Sequence, residues 1–158
     1  MVQALIRDLN FAYSVINSKY IDNQHLFGWH MEHIYFFNGN EKRISWSIQS
    51  ENSLVEQYRE QPEIYLDKIS VEQSKYIALH AGIFWCIGRF IIKNGDIVKV
   101  MLDSKLMYDH LTEGNARNDS FIEARIGFIK QLIDQRKLTV RYELIKPEKN
   151  IATKLLST

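Results

Sequence analysis

The sequence predicts an α/β domain with a mixed five-stranded sheet flanked by helices, and an extra helix at its amino terminus. Three observations carry this prediction: an apolar β-hairpin pattern, later β-rich segments separated by helical stretches, and a chain of 158 residues that is 46% hydrophobic. A chain of this length and composition can bury one sizeable core. Strands that follow helical crossovers favour parallel additions to an antiparallel hairpin.

The amino-terminal part of the chain predicts a helical extension. Apolar residues recur three to four positions apart over about 2–19, which is the period of an amphipathic helix. We therefore divide the chain into an amino-terminal helical extension over 1–30 and a domain over 31–158.

Five segments of the domain have the composition of strands. The apolar run at 34–37 precedes the turn signal Asn38-Gly39-Asn40, after which apolar and polar residues alternate, so the first two strands should form a hairpin. The predicted strands lie near 34–37, 43–49, 63–69, 97–102 and 138–145.

The longest helix should begin at Ser70 and run to about Ile91. The Ser70 hydroxyl can cap the first turn while Gln73 reaches back in a capping box. Ala78 and Gly82 lie four residues apart on one face, and a glycine inside a helix indicates close packing against a neighbouring backbone.

Three shorter helices complete the predicted order. One should end near Gly114, and another should begin at Ser120 with a second capping box to Glu123. A last short helix is predicted near 150–156, after Pro147 closes the fifth strand.

Charge and composition exclude several functional classes. Twenty Lys and Arg residues stand against 19 Asp and Glu, and the net charge of +1 gives no strong field toward nucleic acid or anionic lipid. The single cysteine, Cys86, cannot form an internal disulfide, and no apolar run is long enough to cross a bilayer. Asp8 interrupts any signal-peptide pattern, so we expect a cytoplasmic protein with no membrane partner.

The histidines and Cys86 are interpreted as structural. His25, His30 and His33 fit neither a zinc-finger nor a metalloprotease spacing. His80 and His110 are expected on helix surfaces, because no nucleophile pairs with them in sequence. Cys86 should pack in the core.

Four stretches of the chain carry motif-like residues, each at a predicted strand end or helix. They are YFFNG at 35–39, SVEQSKYIAL at 70–79, VKVMLDS at 98–104 and PEKNIATKL at 147–155. Their order and spacing resemble the ribonuclease H family over about residues 31–158. The family pattern is a strand ending in Asp-Gly, a capped helix with a Glu before Ala-Leu, a strand ending in Asp-Ser, and a last helix with Ala-Asp and Leu.

The resemblance implies that four residues occupy the acidic positions that hold two magnesium ions in the family: Asn38, Lys75, Asp103 and Thr153. Asp103 alone retains a carboxylate. Asn38 has no charge, Thr153 offers a hydroxyl, and Lys75 brings a cation to where a dication should bind. We therefore expect no two-metal site and no cofactor, and an ion pair between Lys75 and Asp103 in the vacated cavity.

An active enzyme would need other ligands. Glu72 lies one helical turn before Lys75 on the same helix face and is the possible rescue carboxylate. In that case Asp103 would bind Mg²⁺ or Mn²⁺.

Basic residues at turns and helix ends predict the nucleic-acid contacts, since phosphate binding is what would persist if catalysis were lost. They are Lys42, Arg43, Lys105, Arg117, Lys146 and Lys149. Acidic residues interleave with them, and an evenly charged surface is the alternative interpretation.

Three functions are consistent with these residues. The first is a catalytically silent ribonuclease H-like domain that binds an RNA–DNA hybrid or duplex without cutting it. The first alternative is an active metal-dependent ribonuclease H that cleaves RNA in such hybrids. The second alternative is a protein-interaction module on the same fold, which binds a protein partner through the apolar stripe of the amino-terminal helix.

Overall fold

A computed structural model of the chain describes residues 30–114 and 117–157. The predicted helical extension, apart from His30, lies outside the described residues, so the division at residue 30 stays a prediction. The described elements are β1 (Glu32–Gly39), β2 (Arg43–Ser50), β3 (Ser53–Glu60), α1 (Val71–Gly88), β4 (Ile97–Leu102), α2 (Lys105–Glu113), α3 (Ser120–Gln135), β5 (Thr139–Leu144) and two 3-10 helices, Pro147–Lys149 and Thr153–Leu156.

The sheet has the strand order β3-β2-β1-β4-β5. β2 is antiparallel to both β1 and β3, whereas β4 runs parallel to β1, and β5 runs parallel to β4. This arrangement confirms the predicted mixed five-stranded sheet. Because β1, β4 and β5 end at the same side, residues 38–42, 103–105 and 145–149 lie together, and we call this side the carboxyl edge.

The third strand does not lie at 63–69, so that prediction is wrong. The strand is β3, Ser53–Glu60, which pairs with β2 alone and has side chains that are exposed or half-buried throughout. An edge strand that is exposed in this way has no buried face, so its sequence does not alternate between apolar and polar residues. The polar sequence of β3 therefore did not indicate a strand. Pro62 instead opens a turn in which the Leu66 N–H donates to the Pro62 carbonyl at 2.9 Å, and Asp67 adopts a left-handed φ of 57°.

Helix α1 begins as the sequence predicts and ends earlier. The Ser70 hydroxyl accepts from the Gln73 N–H at 3.0 Å, and the Gln73 side chain accepts from the Ser70 N–H at 3.0 Å, which is the predicted capping box. The helix ends at Gly88 rather than near Ile91, because Phe90 has a φ of 61°. No helix in the described part of the chain is long and apolar enough to cross a membrane.

Gly82 allows α1 to lie directly on the sheet. A Cβ at this position would overlap the Tyr35 hydroxyl and come within 2.8 Å of Trp46 Cγ. The close packing is therefore with side chains of β1 and β2, not with a backbone as predicted. The Tyr35 hydroxyl donates to the Ala78 carbonyl at 2.7 Å, and burial raises the pKa of Tyr35 well above its ordinary value.

The later helices differ from their predictions in detail. α2 ends before Gly114, which has the left-handed φ of 70° common after helices, as expected. The cap of α3 is Asp119 and not Ser120, because the Asp119 carboxylate accepts the Phe121 N–H at 2.9 Å. Glu123 accepts the Arg117 N–H at 2.6 Å instead of completing a capping box.

The carboxyl-terminal segment is not one continuous helix over 150–156. It forms the two short 3-10 helices, and Asn150, which lies between them, has an extended ψ of 100° that ends the first one.

His110 is buried, so its predicted place on a helix surface is wrong. It is 6% exposed, its Nδ1 lies 2.6 Å from the Tyr76 hydroxyl, and its Nε2 lies 3.1 Å from Glu123 Oε1. Cys86 packs in the core as predicted, and burial raises the pKa of its thiol to about 12.

Two glycine substitutions test the packing of α1. Gly82→Ala should lower the free energy of unfolding by about 1–3 kcal/mol, because the new methyl group overlaps Tyr35 and Trp46. Gly127→Ala, inside α3 with nothing within 4 Å of the new Cβ, should raise it by up to about 1 kcal/mol through helix propensity. Urea unfolding measures both, and equal effects of the two substitutions would contradict this packing.

Candidate functional site

The four residues that the resemblance singles out lie at the carboxyl edge as two hydrogen-bonded pairs. Phe36 of β1 is opposite Met101 of the parallel strand β4, so the residues two positions further on, Asn38 and Asp103, emerge side by side. Asn38 Nδ2 donates to Thr153 Oγ1 at 2.9 Å, and Lys75 Nζ donates to Asp103 Oδ1 at 2.9 Å.

The ion pair between Lys75 and Asp103 joins α1 to the end of β4. The Asp103 side chain is 8% exposed and the Lys75 side chain 20% exposed, so both charges are largely removed from water. A charge in such a position is costly unless an opposite charge and further hydrogen bonds satisfy it. Each partner therefore makes burial of the other possible.

Asn150 is a site residue that the sequence analysis missed. Its Nδ2 donates to Asp103 Oδ2 and to the Phe37 carbonyl, each at 2.9 Å, and its Oδ1 accepts the Ala152 N–H at 3.1 Å. The side chain is buried and connects the ends of β1 and β4 to the carboxyl-terminal segment. Phe37 and Asp103 are distant from Asn150 in sequence, so no local pattern marks this asparagine as a site residue.

Asn38 also forms hydrogen bonds within the protein through both ends of its amide. Its Oδ1 accepts the Gly39 N–H at 2.8 Å while its Nδ2 is held by Thr153, and the residue is 7% exposed. Gly39 permits α1 to approach this strand end, because a Cβ there would lie 2.7 Å from the Ser74 carbonyl oxygen.

Solved structures share this architecture. The ribonuclease H1 of the halophilic archaeon Halobacterium salinarum matches 81% of this chain and 94% of its own, with a TM-score of 0.62 and 14% identity. An N-terminal RNase H domain from Mycobacterium tuberculosis, solved as a fusion with maltose-binding protein, matches 79% of this chain and 90% of its own, with a TM-score of 0.65 and 13% identity.

The chain has the ribonuclease H fold. A third structure, LC11-RNase H1 in complex with an RNA/DNA hybrid, matches 79% of this chain and 92% of its own, with a TM-score of 0.61 and 16% identity. No protein-family model matches the chain, and no curated protein sequence matches it.

The residues present do not fit the two magnesium ions that the ribonuclease H resemblance implies. Both oxygens of Asp103 accept hydrogen bonds, one of them from the cationic Lys75, and the Asn38 oxygen is taken by a backbone N–H. Magnesium binds through negatively charged or free oxygen donors, and a lysine ammonium repels it. Within 30–114 and 117–157, no three His, Cys, Asp or Glu side chains are grouped so that they could hold a metal ion.

Glu72, the possible rescue carboxylate, binds a different cation. Its Oε1 forms an ion pair with the Arg117 guanidinium, which ties the first turn of α1 to the segment before α3. Glu72 would have to leave Arg117 to reach a metal beside Asp103, so its rescue role stays a hypothesis of the active-enzyme alternative.

The six predicted nucleic-acid contacts fall into two groups. Arg43, Lys105 and Arg117 pair with acidic side chains, which are Glu60, Asp109 and Glu72.

The second group consists of Lys42, Lys146 and Lys149, which are exposed and form no ion pair within the described residues. Lys42 lies in the turn after β1, and the other two follow β5, so all three belong to the carboxyl edge. Glu41 and Glu148 are exposed beside them and reduce the local positive potential.

Proposed function

We propose that this domain binds an RNA–DNA hybrid or duplex at the carboxyl edge and does not hydrolyse it. One observation carries the proposal: Lys75 Nζ and Asn150 Nδ2 occupy the two oxygens of Asp103, the one carboxylate that the resemblance leaves in place. An amide and an ammonium therefore stand where a nuclease of this fold would need free anionic oxygens.

The inability to bind two magnesium ions would follow from the charge of the four residues Asn38, Lys75, Asp103 and Thr153. Two-metal hydrolysis requires carboxylates that neutralise the cations and fix the attacking and departing oxygens. The four residues here carry one negative charge on Asp103 and one positive charge on Lys75, so their net charge is zero. A dication entering this cluster would meet a lysine without a compensating excess of anions.

The replacement of carboxylates by neutral and basic side chains would also favour nucleic-acid binding without a metal. Four carboxylates would repel a phosphate backbone until cations neutralise them, whereas a neutral cluster imposes no such barrier. The exposed lysines Lys42, Lys146 and Lys149 around it can contact phosphates directly.

The choice of ligand rests on the fold. LC11-RNase H1, which shares the fold over 79% of this chain, is solved in complex with an RNA/DNA hybrid. We place the protein in the cytoplasm as part of the same proposal. The alternative that the amino-terminal helix docks a protein partner stays open beside it.

Salt should weaken hybrid binding, and the size of this salt effect should depend on the lysines of the carboxyl edge. With EDTA present, the logarithm of the hybrid association constant should fall linearly with the logarithm of salt concentration, because each phosphate contact releases a counterion. The slope should be roughly −2 to −3 between about 50 and 200 mM salt. Lys146→Gln with Lys149→Gln should reduce the slope magnitude by about 2. Fluorescence anisotropy of a labelled hybrid measures the slope.

The matched control is Lys93→Gln with Lys130→Gln. Both lysines are exposed, Lys93 precedes β4 and so lies at the opposite side of the sheet, and Lys130 lies on α3. Affinity that is independent of salt, or an equal loss in both double variants, would rule out phosphate binding at the carboxyl edge.

Purified protein with Mg²⁺ or Mn²⁺ should leave a labelled hybrid uncut over hours, because Lys75 opposes metal binding while Asn38 and Thr153 supply no charge. The combined variant Asn38→Asp, Lys75→Glu and Thr153→Asp has four carboxylates, counting Asp103, and is expected to gain metal-dependent cleavage. Variants that carry only one of these three substitutions should show little or no cleavage. Gel electrophoresis of the products decides, with circular dichroism to check folding.

Asp103→Asn supplies the control for this assay. Added to the triple variant, it should abolish the gained cleavage. Cleavage by the unmodified protein that Asp103→Asn removes would instead establish the active-enzyme alternative, with Glu72 as the first missing ligand to test.

A further inference from the structure

A recess of about 410 Å³ lies between the carboxyl-terminal half of α1 and the β2–β3 hairpin. We call it the aromatic recess. Its main lining residues are Trp46, Arg59, Phe84, Trp85, Gly88 and Arg89. Lys75 lies in the opposite half of α1, so the aromatic recess is separate from the ion-paired cluster of the candidate functional site.

The aromatic recess exposes apolar surface that the core does not use. Phe84 is 63% exposed, although it belongs to a helix packed on the sheet. Trp85 packs against the buried Trp46 with ring centroids 5.8 Å apart, which fixes the floor. Gly88 has nothing within 4 Å of where a Cβ would be, so the recess stays open at that side.

Two arginines frame this apolar floor. The Arg59 guanidinium carbon lies 5.5 Å from the Trp46 ring centroid, and that of Arg89 lies 5.3 Å from the Trp85 ring centroid. Hydrogen bonds to Gln57 Oε1 and the Tyr58 carbonyl hold Arg59 in place. Neither arginine forms an ion pair with any residue of the described segments, so their charge is available to a ligand.

We propose that the aromatic recess binds an acidic peptide segment of a partner protein through one apolar anchor side chain. The anchor would contact Phe84 and Trp85, and acidic residues on either side of it would pair with Arg59 and Arg89. Tryptophan and arginine are the residue types that most often dominate protein interfaces, and the volume lies within the range of about 300–1,000 Å³ typical of ligand pockets.

Single-stranded nucleic acid is the competing occupant, because bases also stack on aromatic rings. The donor groups of a base inserted here would face a mainly apolar lining and two arginines, which cannot accept a hydrogen bond, so burying them is costly. An aliphatic or aromatic side chain has no such groups. The lining therefore favours the peptide.

The test uses the full chain and a fluorescein-labelled heptapeptide in which a central phenylalanine is flanked on each side by acidic residues. Fluorescence anisotropy should show saturable binding that weakens with salt. Peptides with serine in place of the phenylalanine, or with lysine in place of the acidic residues, should bind at least about tenfold more weakly. A single-stranded oligothymidylate is the nucleic-acid probe.

Four variants locate the binding. Phe84→Ser and Arg89→Glu should each weaken peptide affinity by at least about tenfold. Phe128→Ser on α3 and Arg141→Glu on β5 change exposed residues of the same types elsewhere and should leave it unchanged. Circular dichroism and thermal unfolding confirm that each variant is folded.

Three outcomes would overturn the proposal: no saturable binding of the acidic peptide, peptide binding that survives both Phe84→Ser and Arg89→Glu, or an oligothymidylate affinity that exceeds the peptide affinity and is lost in those two variants. The two proposals can fail separately, because they rest on different residues. Lys146→Gln with Lys149→Gln should not affect peptide binding, and failure of peptide binding would leave the hybrid-binding proposal unchanged.

Discussion

The ion pair between Lys75 and Asp103 is the interaction on which this site depends. It joins the first turns of α1 to the end of β4, and Asn150 completes it by donating to the second Asp103 oxygen. A buried ion pair adds little net stability, but removal of one partner leaves the other charged and buried, which typically costs about 3–5 kcal/mol. Each of the two side chains therefore stabilises the buried charge of the other. A metal could enter only by displacing the ammonium.

The two proposed binding surfaces use different parts of α1. Near its first turns, Lys75 makes the carboxyl edge electrically neutral at its centre, and exposed lysines lie around it. In its second half, Phe84 and Trp85 form one wall of the aromatic recess together with Arg89, which follows the end of the helix. A hybrid and an acidic peptide could then bind the same domain without competing. Such a domain would connect a nucleic acid to a protein partner rather than process either.

Local signals explain which parts of the fold the sequence could predict. The hairpin of β1 and β2, the capping box at Ser70 and the apolar strand β4 are set by residues close in sequence, and all three are present in the structure. β3 escaped prediction because a polar edge strand lacks the alternation that marks a half-buried one. Asn150 and buried His110 escaped because their partners are distant in sequence, 47 residues for Asp103 and 34 for Tyr76. The Lys75–Asp103 contact was accessible only through the resemblance, since 28 residues separate its partners.

The claim that an ion pair stands where metals would bind can be tested without any substrate. Manganese is paramagnetic, so a bound Mn²⁺ broadens the amide NMR signals of nearby residues, and Mg²⁺ serves as the diamagnetic reference. Titration of ¹⁵N-labelled protein with Mn²⁺ should leave the signals of Gly39, Ser104 and Lys105 no more affected than those of exposed acidic residues elsewhere. Selective, saturable broadening of those three signals at sub-millimolar Mn²⁺ would contradict the account, because it would place a metal beside Asp103 despite Lys75.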